Sequence, residues 1–326
     1  MGQLHISSTP HIHEKGSSTR NIMLDVVIAM IPAALAGVLI FGLKALWIIL
    51  ACVASAVTAE LVFNLCVGKK QTIGDLSAVV TGLLLALNLS INVPIWQCVV
   101  GSVFAIVVVK CLFGGLGKNI VNPAITARVF MLLTFGAVGA TVAISPLIDL
   151  GFMGNAVPAE IAAGATPLVA LNQGAAVAAE QAPTLLQLFF GAHGGTIGET
   201  CALALLIGFA YLVVRKVIKW YVPASYVATV FVCYLLFGGF NATFALQHVL
   251  AGGLLLGAIF MATDYVTTPN TGKGRVLFCV GAGLLTFAIR QFGSYPEGVS
   301  IAILTMNLLT PFLSSWTKKK TLGGIK

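Results

Sequence analysis

Residues 22–43 read IMLDVVIAMIPAALAGVLIFGL, an apolar stretch with a single charge at Asp25. A helix rises ~1.5 Å per residue, so about 20 residues cross the ~30 Å of a bilayer's hydrocarbon. This stretch therefore predicts a membrane-spanning helix, and the rest of the chain repeats the pattern. Ten apolar runs follow one another at approximately 22–42, 45–67, 76–93, 95–113, 129–147, 197–214, 222–238, 247–263, 276–289 and 299–316. Several are short and interrupted by Gly or Pro, as in helices buried among neighbours rather than facing lipid. Composition agrees: the 326 residues are 58% hydrophobic and 9% charged, with a mean hydropathy of +1.00, whereas soluble domains carry roughly a quarter charged residues. The first 21 residues are polar and lack the apolar core and small-residue cleavage site of a signal peptide, so the first helix is expected to be retained. The predicted fold class is an all-α integral membrane protein of about ten transmembrane helices.

The basic residues test that count. With the N-terminus inside, Lys15, Arg20, Lys69, Lys70, Lys118, Arg128, Arg215, Lys216, Lys219, Lys273, Arg275, Lys318, Lys319, Lys320 and Lys326 fall on inside segments, and Lys110 lies near an inside helix end. Only Lys44 and Arg290 fall outside. Sixteen of 18 basic residues thus agree with one alternating topology, which places both termini in the cytoplasm. The formal charge of +8 is concentrated at helix ends, so nucleic acid is not an expected partner, while the Lys318-Lys319-Lys320 tail is at most a contact for membrane lipid. The seven cysteines contain no C-x-x-C pair and read as small core hydrophobes.

The longest connection, 148–196, holds Asp149, Glu160 and Glu180 but no Lys or Arg, which places it outside. It divides the chain into a cytoplasmic tail (1–21), a five-helix half (22–147), an extracytoplasmic loop (148–196), a second five-helix half (197–316) and a second cytoplasmic tail (317–326). Five spans per half forces opposite orientations. Val80-Thr81-Gly82-Leu83-Leu84-Leu85 on span 3 is similar to Ala251-Gly252-Gly253-Leu254-Leu255-Leu256 on span 8, so an inverted 5+5 repeat is expected.

Within the outside loop, residues 160–174 read EIAAGATPLVALNQG. Thr166 followed by Pro167 is a helix start, with Thr as cap and Pro in the first turn. A plain cap accounts for that pattern. A phosphate on the threonine oxygen would sit equally well there, because free N–H groups and the helix dipole favour an anion.

Gly164-Ala165-Thr166 in an outside loop after five spans resembles the flavinylation site of the RnfD and NqrB membrane subunits. Other stretches share the resemblance: 113–119 (FGGLGKN) with Asn122-Pro123-Ala124, 194–200 (GGTIGET), 260–269 (FMATDYVTTP) and 295–298 (YPEG). Glu160 and Ala163 stand where that motif usually has Asp and Ser or Thr. The resemblance implies a urea-transporter-like fold, FMN joined to Thr166 through a phosphoester, a second, non-covalent riboflavin nearer the cytoplasm, and a flavin transferase for maturation. It also implies membership of an ion-translocating ferredoxin:NAD⁺ oxidoreductase in a bacterial cytoplasmic membrane, beside RnfA, RnfB, RnfC, RnfE and RnfG, with no activity expected of this chain alone. The sequence does not fix the riboflavin site, for which Asn119, Asn122 or Asp264 are the candidate contacts. Two rival readings are an NqrB-like quinone-reducing subunit and a urea-transporter-like channel without redox chemistry.

A phosphodiester outside would meet only Lys44 and Arg290. The helix beginning at Pro167, with Arg290 as charged helper, is the expected support, against Arg290 simply snorkelling at a helix end. Among acids near the spans (Asp25, Glu60, Asp75, Glu199, Asp264, Glu297), Glu60 lies well inside span 2 with no basic neighbour in sequence, and an ion-pathway role is expected for it.

Overall fold

A computed structural model describes residues 18–135, 168, 171, 183–293 and 298–318. Among them every regular element is helical: α1 (Thr19–Phe41), α2 (Leu43–Val67), α3 (Ser77–Leu87), α4 (Ile95–Cys111), α5 (Pro123–Phe135), α6 (Leu185–Phe190), α7 (Ala202–Val214), α8 (Tyr221–Phe237), α9 (Ala242–Leu250), α10 (Leu254–Met261), α11 (Gly272–Phe292) and α12 (Val299–Trp316). Four of these, α1, α2, α11 and α12, are long and apolar enough to cross a membrane, and α9 with α10 makes a fifth if that pair, bent by 67°, is one span. The shorter apolar helices α3, α4, α5, α7 and α8 complete the set. Each apolar run read from the sequence therefore contains a helix, but about half of those helices are too short to cross a bilayer alone. The fifth run, 129–147, is described only to Phe135.

The ends of the helices follow local chemistry. The Ser18 side chain accepts from the Asn21 N–H at the start of α1, Gly68 closes α2 in the left-handed region at φ 69°, and Asn241 caps α9. Small residues let the helices approach closely. A Cβ on Gly208 of α7 would lie 2.2 Å from the Ala29 carbonyl oxygen of α1, and one on Gly82 of α3 would lie 2.8 Å from the Cys52 oxygen of α2. One large apolar core joins the helices of both halves. The outward faces carry Leu35, Trp47, Leu65, Leu112, Val214 and Trp316, all exposed, as a lipid-facing surface requires. The chain is a multi-pass, all-helical membrane protein.

Two helices end inside the molecule. The first, α3, stops at Leu87 and a connection leads to α4 at Ile95; the second, α9, is broken from α10 at Ala251-Gly252-Gly253, with Gly252 at φ 70°. Exposed backbone at such ends needs partners, and residues 196–198 supply some for the first. The N–H of Gly198 and the hydroxyl of Thr196 donate to the Leu87 oxygen, and the N–H of Ile197 donates to that of Leu89. The end of the long loop thus lies in the interior, where His193, Thr196 and Thr200 are all buried.

Candidate functional site

A cleft of about 880 Å³, counted with its open mouth, is lined by α1, α3, α4, the start of α5, α7, α10 and the connections 116–122, 217–218 and 263–266. Its walls are apolar, from Ile22, Val26, Val80, Leu84 and Phe260. Its polar groups come from Thr81, Lys110, Asn119, Asn122, Thr263 and Asp264. The three candidate flavin contacts named from the sequence, Asn119, Asn122 and Asp264, therefore line one space although the third is far from the first two in the chain.

Each of the three also shapes its own backbone. The Asn122 side chain accepts from the N–H groups of Ala124 and Ile125 and caps α5, and the Asn119 amide donates to the Val121 oxygen. Asp264 accepts from the Val266 N–H and the Thr267 hydroxyl, closing the turn after α10. Burial raises the Asp264 carboxyl above its ordinary pKa, and those two hydrogen bonds oppose the shift. Two π-helical stretches, Phe104–Cys111 and Gly257–Met261, bring Lys110, Ile259 and Phe260 to the cleft. Such wide turns recur at functional sites.

Glu60 is not isolated. Lys110 Nζ lies 2.8 Å from Glu60 Oε2 and donates to Ser77 Oγ at 2.6 Å. The Thr72 hydroxyl donates to Glu60 Oε1 at 2.5 Å and accepts from the Asn64 amide at 3.1 Å, while Ser77 donates to Asp75. The network forms one charged wall of the cleft, since Lys110 and Ser77 both line it. Position in sequence could not reveal this, because the partner of Glu60 is 50 residues away.

Gly164, Ala165, Thr166 and Pro167 lie outside the described residues. Leu168, two positions after Thr166, is buried with Leu171, Leu188 and Ala251. Arg290 does not snorkel: it is 2% exposed and donates to the carbonyl oxygens of His248 (2.8 Å) and Ala251 (3.3 Å). A Cβ on Gly252 would meet both Leu168 Cδ1, at 2.6 Å, and Arg290 Nη2, at 3.1 Å. Arg290 and the stretch that follows Thr166 thus flank the same point of the α9–α10 break.

Sequence reasoning passed over a second charged centre. Arg128, counted as an inside topology residue, is buried in α5, and its Nη1 donates to Asn88 Oδ1 at 2.9 Å and Ser300 Oγ at 3.0 Å. Glu199 is 3% exposed and its Oε1 accepts from the Thr196 N–H at 3.0 Å. Its charge is felt by Arg128, His193 and Arg290. Both ring nitrogens of His193 lie within hydrogen-bond reach of carbonyl oxygens, of Gly194 at 2.9 Å and Thr200 at 3.1 Å, while burial lowers its pKa below the ordinary histidine value. No group of three or more His, Cys, Asp or Glu side chains arranged to hold a metal occurs among the described residues.

Comparison with known proteins identifies the family. The model of the NQR2, RnfD, RnfE family matches residues 5–323. The D-type subunit of the Na(+)-translocating ferredoxin:NAD(+) oxidoreductase complex of Acetobacterium woodii is 44% identical over 99% of this chain and 96% of that protein. Its counterpart in the proton-translocating complex of Clostridium ljungdahlii is 38% identical over 98% and 96%. The corresponding protein of the ion-translocating oxidoreductase complex of Stutzerimonas stutzeri is 36% identical over 94% and 93%. An all-helical membrane body, an interior cleft and near full-length similarity lead to one assignment: the chain belongs to the NQR2, RnfD, RnfE family.

Proposed function

We propose that this chain is the D-type membrane subunit of an ion-translocating ferredoxin:NAD⁺ oxidoreductase in the cytoplasmic membrane, relaying electrons between an FMN on Thr166 and a non-covalent riboflavin in the cleft. The observation that carries the reading is the convergence of Asn119, Asn122 and Asp264 on one apolar-walled space. The donor set suits a flavin: flat apolar faces for a ring system, with amide, hydroxyl and ammonium groups for its polar edge. Bound there, flavin supplies one- and two-electron redox chemistry. The protein's part is to hold and orient it, exclude water and set the charge around it. Lys110, held by Glu60 and Ser77, places a positive charge at the wall, which favours a ring that gains negative charge on reduction.

On the other side, Arg290 beside Leu168 is suited to balance a phosphodiester on Thr166. The charge map puts that loop outside and the cleft near the cytoplasmic face, beside the connections that carry Lys118, Lys216 and Lys219. The chain then works with the other Rnf subunits and depends on a flavin transferase for maturation.

The cleft assignment is tested by denaturing the purified complex and measuring flavin in the supernatant. Val80→Trp, which fills the space, is expected to lower released riboflavin at least fivefold while flavin fixed to the chain is retained. Undiminished release would contradict the assignment.

A further inference from the structure

Glu199 Oε2 accepts no hydrogen bond from any described residue, although the side chain is 3% exposed. An ionised carboxylate in an apolar interior normally fills its acceptor sites, and a missing partner costs free energy that needs an explanation. The hydroxyl oxygen of the neighbouring Thr200, fully buried, is likewise without a hydrogen bond among the described residues. Arg128, the nearest guanidinium on α5, directs Nη1 to Asn88 and Ser300.

The position of Glu199 is as informative as its bonding. Its loop is stitched to the end of α3 through Leu87 and Leu89. Its open oxygen faces the α9–α10 break, because a Cβ on Gly253 would lie 3.2 Å from Oε2 and 3.6 Å from Arg128 Nη1. The end of α3 and the α9–α10 break therefore meet at one unsaturated carboxylate. Interrupted helices buried in a membrane protein free backbone and side-chain oxygens for ions, and a buried acid there is the usual place for a transported cation.

We infer that Glu199 is the ion-loading residue of this chain, its Oε2 binding a hard monovalent cation, proton or sodium, where the end of α3 meets the α9–α10 break. Glu199 Oε2 is the anionic oxygen, and the Thr200 hydroxyl, next in sequence and also without a hydrogen bond among the described residues, is the neutral oxygen to be tested for sodium. The surrounding charges keep the binding weak. The guanidinium groups of Arg128 on α5 and Arg290 on α11 both feel a charge at Glu199, so they oppose a cation loaded there. Weak binding suits transport, which needs release as much as capture. Glu60 is unsuited to the task, since both its oxygens are already occupied.

The inference rests on the ion-translocating reading, and the experiment separates the two. The whole complex is reconstituted in liposomes, and electron transfer from reduced ferredoxin to NAD⁺ is measured beside sodium uptake and lumenal pH. A wild-type complex that moves neither ion refutes the translocating reading. With a pumping wild type, Glu199→Gln is expected to keep electron transfer in uncoupled liposomes and to lose at least tenfold in ions moved per electron. An unchanged ratio overturns the inference. If Glu199→Gln does not assemble, Glu199→Asp, which keeps the charge and withdraws the oxygens by one methylene, is expected to shift the half-saturating sodium concentration or the pH profile at least threefold; unaltered ion dependence overturns it. Thr200→Val assigns the ion: a raised sodium requirement identifies sodium, and pumping at the wild-type ratio identifies the proton.

Discussion

Glu60 and Glu199 are both carboxylates buried among apolar helices, yet their surroundings differ in kind. Glu60 meets an ammonium at 2.8 Å and a hydroxyl at 2.5 Å, and those partners are themselves bonded to Ser77 and Asn64. Glu199 accepts one backbone N–H and leaves its other oxygen without a hydrogen bond among the described residues. The first arrangement is saturated and serves to hold a positive wall beside the cleft. The second is unsaturated, sits where the end of α3 meets the α9–α10 break, and can change what it binds. Charge inside a membrane protein is thus read from what its partners leave open, more than from its position along the chain.

The largest expected effect comes from breaking the saturated pair. Lys110→Met strands Glu60 in the interior, and removing one partner of a buried pair costs about 3–5 kcal/mol. Thermal unfolding of the detergent-solubilised protein should fall accordingly, and the double variant Lys110→Met with Glu60→Gln should recover most of the loss. Equal losses in single and double variants would mean that the pair is not the stabilising unit.

Glu199→Gln is expected to cost less than Lys110→Met, because Oε1 keeps the Thr196 N–H and Oε2 loses no hydrogen bond, so that only the charge felt by Arg128 and Arg290 is removed. A loss as large as that of Lys110→Met would erase the distinction between the two acids. Gly253→Ala sharpens it further. The added methyl would lie 3.2 Å from Glu199 Oε2, a contact relieved by a shift of a few tenths of an ångström. Stability should fall by less than about 1 kcal/mol, while ion pumping falls several-fold, measured in the same liposomes.

The smallest effect is at the cleft. Burial raises the Asp264 carboxyl, so the folded state prefers its protonated form. That preference stabilises the fold at low pH and is lost as pH rises through the folded-state value, above the ordinary range near 4. Asp264→Asn keeps an acceptor for the Val266 N–H and should flatten this part of the stability–pH curve. A curve of unchanged slope would remove Asp264 as its source.

Much of the helical framework was legible because apolar length reports directly on the membrane. Residues 22–42 became α1 over Thr19–Phe41 and residues 299–316 became α12 with the same bounds. The break at Ala251-Gly252-Gly253 was not read from the sequence, which took 247–263 as one span and used these glycines only as a match to residues 80–85; nothing in that run indicated a 67° bend. Asn119, Asn122 and Asp264 came from stretches that carry the family resemblance, and nothing in their spacing indicated that they line one cleft. The charged centres were not legible, because their partners are far apart in sequence. Lys110 answers Glu60 across 50 positions, and Arg128 answers Ser300 across 172. Counting basic residues by helix end treated Lys110 and Arg128 as topology signals, whereas both are interior groups. Arg290, scored as an outside charge, is interior too.

The central claim, that this membrane protein carries a flavin on Thr166, is tested most directly by ultraviolet fluorescence of the denatured chain in a gel, after expression with a flavin transferase. A covalent flavin survives denaturation, so the account predicts a fluorescent band for the wild type and none for Thr166→Ala at equal protein load. A dark wild-type band, or a Thr166→Ala band of undiminished brightness, would contradict it.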